Sequence, residues 1–216
     1  MQSSDIVFYK ANADGTISNT IIESGVLNSL IRDVSPNIAE SGGTVFYKMF
    51  YKNTNATLTA YASNICLAKY PDADDEVIFF VGTSNDIVVD ETKSYGIVLA
   101  TSELDRSTKT INISTKGLDP TTIFEVGDAI TFIDATTNDK IAKVTIASLT
   151  ATDITINEDL PPSYTTNGAY IANTYVGGDL ASGASLSVWI KQIIPAFSTS
   201  MEVPPDSLMF NVIFNG

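Results

Sequence analysis

The feature that most restricts the fold of this chain is a period of two in its apolar residues, carried by short runs that Gly, Asp, Asn and Pro interrupt. Successive side chains of a strand point to opposite faces, so this period marks a pleated strand with one face turned inward. The last run, Ser207 to Phe214, places Leu208, Phe210, Val212 and Phe214 on one face. Further strands are expected at Asp5 to Lys10, Thr20 to Glu23, Thr44 to Lys52, Thr57 to Lys69 (with Tyr61, Ile65 and Leu67 on one side), Glu76 to Gly82, Tyr95 to Ala100 and Ser185 to Ile194. Asn12-Ala13-Asp14-Gly15, Ser41-Gly42-Gly43, Gly177-Gly178-Asp179 and Ser182-Gly183 read as turns. Charged residues make up only 17% of the chain, and Thr, Ser, Asn, Val and Ile recur throughout, a profile that favours strands over helices. One stretch departs from it: Leu27, Leu30 and Ile31 lie at spacings of three and four, which predicts a short helix over Val26 to Val34, closing before Pro36.

Between Thr101 and Asn173 the runs shorten, with strands expected at Thr110 to Thr115, Ala129 to Asp134, Ile141 to Ser148, Asp153 to Ile156 and Ala169 to Thr174. A Gly127-Asp128 turn feeding an alternating strand fits the opening of a small SH3-like or OB-like barrel. The resulting expectation is an all-β fold: a β-sandwich built from residues 1–100 and 175–216, interrupted by an inserted small β-barrel over 101–174. On this reading a chain lacking Thr101 to Asn173 still folds.

Charge and residue usage exclude several functions. The 216 residues include 25 acidic and 12 basic side chains and no histidine, a net charge of −13. Such a surface repels phosphate backbones, so no nucleic-acid partner is expected. Without histidine there is no Ser-His-Asp triad and no His-ligated zinc or haem, and the single cysteine, Cys66, excludes an internal disulfide framework. No cofactor is expected. No run of about eighteen apolar residues is present, so no membrane span is expected. The opening Met1-Gln2-Ser3-Ser4-Asp5 lacks the basic and apolar regions of a signal peptide.

Candidate sites are few. Asp72, Asp74 and Asp75, followed by Glu76, could offer hard oxygen ligands to Ca²⁺, although they lack EF-hand spacing and a solvated loop is the simpler reading. Asp86, Asp90 and Glu91 form a second acidic group, and a shared ion requires the two loops to meet. Trp189 points away from the face of Val188 and Ile190, and Tyr47, Phe50 and Tyr51 put aromatics on both faces of their strand. These four are candidates for an interface with another subunit, for core packing, or for a sugar-stacking platform. Cys66, between Ile65 and Leu67, reads as a buried, inert thiol.

Several segments carry a resemblance. Asp5-Ile6-Val7-Phe8-Tyr9-Lys10 is followed by Leu30-Ile31-Arg32-Asp33-Val34-Ser35 and by Gly43-Thr44-Val45-Phe46-Tyr47-Lys48-Met49-Phe50-Tyr51-Lys52-Asn53. Near the C-terminus lies Ala181-Ser182-Gly183-Ala184-Ser185-Leu186-Ser187-Val188-Trp189-Ile190-Lys191, with Pro195-Ala196 after it. This order resembles structural proteins of tailed bacteriophages, over about residues 1–100 and 175–216, with Tyr47-Lys48 where an aromatic-arginine pair is expected. The resemblance implies an Ig-like β-sandwich, no enzymatic activity, and a place in the virion after synthesis in the host cytoplasm. Capsid decoration or a tail, neck or baseplate accessory role follows, with major capsid or tail proteins and further copies of the chain as partners. The strands Asp5 to Lys10 and Ser207 to Phe214 are then expected as edges open to a neighbour. A carbohydrate-binding or adhesin module serving host attachment is the alternative.

Overall fold

A computed structural model describes residues 1–23, 29–31, 34–69, 74–115, 117–198 and 210–215, the last six as backbone. The protein is all-β, 47% strand and 6% helical. Its strands run β1 (Ile6–Ala11), β2 (Ile17–Ile21), β3 (Gly43–Asn53), β4 (Ala60–Leu67), β5 (Glu76–Gly82), β6 (Ile97–Ala100) and β7 (Thr110–Ser114). They continue as β8 (Ala129–Ile133), β9 (Lys140–Leu149), β10 (Asp153–Ile156), β11 (Tyr170–Asn173), β12 (Tyr175–Leu180), β13 (Ser185–Ile194) and β14 (Phe210–Asn215). Among the described residues one α-helix, α1, spans Pro36–Ser41.

These strands form three units. A five-stranded antiparallel sheet has the order β2-β1-β3-β13-β5, a three-stranded sheet the order β12-β4-β14, and six strands close a barrel in the order β10-β7-β6-β11-β8-β9. The spine of the large sheet is the β3–β13 pair, in register from Ser185↔Lys52 to Ile194↔Gly43, with β5 on the far side of β13.

The large sheet is apolar on both faces, as the aromatic-rich sequence of β3 requires. Met49, Tyr51, Val77, Phe79, Val188 and Ile190 pack on Ala60, Ile65 and Leu67 of β4. From Ser63 to its end β4 is buried on both sides, because barrel residues Ile133 and Ala172 close over the same cluster. On the opposite face of the sheet, Ile78 and Phe80 join the barrel core of Val98, Ile111, Ile130, Phe132 and Ile171, with Trp189 and Ile193 at its margin. Sheets and barrel therefore share two apolar clusters. The barrel strands start at Ile97, and their side chains cover parts of β4 and β5.

Several expectations need correction. Ser29 to Ile31 are bends, and the rest of the expected helix over Val26 to Val34, apart from Val34, lies outside the described residues. A helix opens at Pro36, because the fixed φ of proline suits a first helical turn and Ser35 caps that turn by accepting from the Ile38 N–H. Gly177-Gly178-Asp179 is not a turn between strands; it lies inside β12, where Gly178 at φ +74° sits between two shifts of register against β4. In β4 the expected alternation breaks at Ala62, whose φ is +50°, leaving Tyr61 exposed while Ile65 and Leu67 are buried. Strand β1 is not an edge, since β2 covers one side and β3 the other; β14 is the outer strand of its sheet among the described residues. No helix among the described residues is long and apolar enough to cross a membrane.

Candidate functional site

Cross-strand register puts Lys48 of β3, Trp189 of β13 and Phe80 of β5 in one row on the face of the large sheet that meets the barrel. A lysine at that position must be neutralised and its donors satisfied, because a buried ammonium loses its hydration. The side chain of Lys48 is 4% exposed. Its Nζ donates to the main-chain carbonyls of Gly15 (2.7 Å), Asp86 (2.8 Å) and Thr83 (3.1 Å) and forms an ion pair with Asp86 Oδ1. It also lies over the rings of Phe50 and Trp189, 5.1 and 5.5 Å from their centroids.

The other carboxylate oxygen of Asp86 accepts from the Thr83 N–H (3.1 Å) and from the Trp189 indole N–H (3.2 Å). Burial pushes the Asp86 carboxyl upward, but the hydrogen bonds from Lys48, Thr83 and Trp189 outweigh it and hold the group below the usual carboxylate range. Ser187 Oγ closes the knot by donating to the Thr83 carbonyl at 2.7 Å. Two glycines make room for it. A Cβ on Gly82 would lie 2.7 Å from Asp86 Oδ2 and 2.8 Å from both Ser187 Oγ and Trp189 Cδ1, and one on Gly15, at φ +81°, would lie 2.4 Å from the Asp86 carbonyl oxygen.

This constellation is a clamp. It ties the β1–β2 turn and the loop from Thr83 to Ser94 onto the sheet. The far limb of that loop is held separately: Glu91 pairs with Lys191, Asp90 accepts from the Thr92 N–H at 3.0 Å, and Lys93 pairs with Glu125 and Asp128 at the base of the barrel. The loop apex, Ile87-Val88, projects into solvent with 66% and 74% of its surface exposed, while Val89 packs back on the barrel core.

The sequence candidates fall as follows. Phe50 and Tyr51 lie inside the chain, 1% and 0% exposed, so neither side chain reaches the surface of a single copy. Tyr47 is half-buried and donates to Gln192 Oε1 at 3.3 Å. Trp189 is half-buried, on the face opposite Val188 and Ile190 as the alternation requires, with its indole N–H committed to Asp86.

Of the acidic candidates, Asp72 lies outside the described residues. Asp75 is buried and accepts from Gln192 Nε2 at 2.7 Å, whereas Asp74 is exposed. Asp86, Asp90 and Glu91 are occupied as described above, and no group of three or more His, Cys, Asp or Glu side chains able to hold a metal forms among the described residues. Cys66 is fully buried beneath the barrel. Desolvation pushes its thiol up to about 11, against weaker hydrogen bonds to Thr174 and Thr131.

The Asp-x-Ser/Thr spacing is a signal that the sequence reading missed. Asp14, Asp90, Asp105, Asp119 and Asp134 each accept a backbone N–H from the Ser or Thr two residues on. Hydrogen bonds from the following Ser or Thr residues hold all five carboxyls below the usual range. These five acids thus do turn-building chemistry, legible as a side-chain cap on a tight turn.

Among comparisons with known proteins, no protein-family model matches the chain, and no curated protein and no solved structure matches it.

Proposed function

We propose that this chain is a non-enzymatic structural protein of a tailed-bacteriophage particle, an outer-surface decoration or accessory component that docks on the capsid or tail. In this reading the two sheets are the halves of an Ig-like β-sandwich, the barrel is of the small SH3-like or OB-like kind, and several copies assemble on the particle. The observation that carries the reading is how the polar groups are spent. The buried Lys48–Asp86 pair, the Asp-x-Ser/Thr caps and the Lys93 and Lys191 ion pairs all tie loops of the chain to its own sheets and barrel. A rigid scaffold with fixed loops suits a protein that works through its surface. The net charge of −13 keeps separate copies apart before assembly and suits an outward position, away from packaged DNA.

A sugar-binding module is less well supported, because Trp189, the residue such a platform would use, is half-buried and bonded to Asp86. The test is mass spectrometry of gradient-purified particles from a host producing this chain, followed by electron microscopy to locate its density. The expected result is a fixed copy number per particle, on the outside. The reading fails if the chain is abundant in the lysate and missing from the particles.

A further inference from the structure

We propose that Ile87 and Val88 form the anchor of a protein–protein contact, and that the surface receiving them is an apolar pocket ringed by lysine or arginine. This deepens the proposed function and rests on it. Single exposed aliphatic residues are ordinary on protein surfaces and need no explanation. Here two neighbours are 66% and 74% exposed on a loop whose two limbs are fixed. On one side Asp86 is locked by Lys48, Thr83 and Trp189; on the other Glu91 is paired with Lys191 and Asp90 caps Thr92.

A buried ion pair is a poor source of stability, since desolvation offsets most of the attraction, and its best-attested use is to specify geometry. The Lys48–Asp86 pair specifies the path of the loop immediately before Ile87. The apex is therefore pre-organised, so a partner does not have to order it on docking. Exposed aliphatic side chains of this sort gain affinity through the apolar surface they remove from water on entering a pocket.

Charge selects the partner's chemistry. Asp90, two residues past the apex, places an exposed carboxylate beside it on a chain of net charge −13, while the charge of Glu91 is met by Lys191, so an acidic rim would be repelled and a basic one steered in. This argues against a second copy of the chain as the receiving surface and for a basic patch on a different protein of the particle.

The test is incorporation in competition. Wild-type chain and one variant are produced together at equal levels in infected cells, particles are purified, and the two are counted by mass spectrometry of peptides that span the substitution. Val88→Asp is expected to be depleted about tenfold relative to wild type. Ile87→Ser/Val88→Ser, which adds no charge, is expected to be depleted several-fold. Val126→Asp is the control; Val126 is equally exposed at 67% but sits in a turn of the barrel and should enter at par.

Asp90→Asn keeps an oxygen to cap Thr92 and removes the charge, so it is expected to enter less well than wild type, with the difference shrinking as salt is raised during assembly in vitro. Thermal unfolding of each purified variant, expected within a few degrees of wild type, separates docking from folding. Val88→Asp entering at par overturns the anchor, as does equal depletion of Val126→Asp. Asp90→Asn entering at or above par overturns the basic rim. Absence of wild type and variant alike from the particle overturns the virion reading and this inference with it, whereas wild type present at full copy number beside an undiminished variant overturns the inference alone.

Discussion

Replacing Asp86 with alanine would leave the Lys48 ammonium charged inside the protein, 4% exposed, with no carboxylate beside it. Removing one partner of a buried ion pair costs about 3–5 kcal/mol, because the remaining charge stays desolvated. Here the lower end applies. Lys48 keeps the Gly15, Thr83 and Asp86 main-chain carbonyls as acceptors for its three protons, so its hydrogen bonds survive and only the charge compensation is lost. The expected loss is about 3 kcal/mol, and at about 2–4 °C per kcal/mol for a chain of this size the melting midpoint should drop by about 6–12 °C.

Lys48→Met strands the three carbonyls and leaves Asp86, which is 19% exposed, with the Thr83 and Trp189 donors. The double variant Lys48→Met/Asp86→Ala buries neither charge, so its loss should fall short of the sum of the singles by about 2 kcal/mol or more. The assay is urea unfolding at pH 7 followed by tryptophan fluorescence. Trp189 is the only tryptophan and lies in the clamp, so loss of the loop and loss of the fold can be compared with far-ultraviolet circular dichroism. An Asp86→Ala variant within 1 kcal/mol of wild type, or a strictly additive double variant, would refute the reasoning.

Other consequences are equally open to measurement. The Asp86 carboxyl is held below its ordinary value in the folded chain, so its contribution is complete above the unfolded-state value of about 3.9 and is lost as pH falls through the lower folded value; wild type should lose stability more steeply than Asp86→Asn below about pH 4 in urea titrations. Gly82→Ala, which pushes a methyl into Asp86, Ser187 and Trp189, should cost about 1–3 kcal/mol by overpacking, and an unchanged urea midpoint would contradict the close approach. Because the Cys66 thiol is buried and raised to about 11, a chromogenic disulfide reagent at pH 8 should leave it unmodified for hours in the native protein and react within minutes in denaturant; rapid native labelling would contradict its burial. A chain lacking residues 101–173 should fail to fold cooperatively, because Ile78 and Phe80 lose the barrel core and β4 loses Ile133 and Ala172; a sharp urea transition with strand-rich circular dichroism would show that the sheets stand alone.

What the amino-acid order determined by itself is whatever the pleat imposes locally. Alternation forces the side chains of a strand to opposite faces, so the all-β class was legible, as were the bounds of β5, β10 and β13 and the position of Trp189 opposite Val188 and Ile190. The burial of Cys66 was legible from its residue type, since a free cysteine among apolar neighbours packs as a small hydrophobe. Local signals failed where backbone conformation overrode the pattern, at Ala62 and within β12, and at Pro36, which opens a helix that the apolar spacing did not mark.

The clamp belonged to the tertiary structure alone. Asp86 is 38 residues from Lys48 and 103 from Trp189, and nothing local distinguishes it from the other acids of the chain. It becomes the partner of Lys48 only because β13, arriving late in the chain, inserts between β3 and β5 and sets Trp189 opposite both Lys48 and Phe80. A strand's faces follow from its own residues, but which charge meets which is set by strand order and register, and those are decided by packing over distances that no periodicity in the sequence spans.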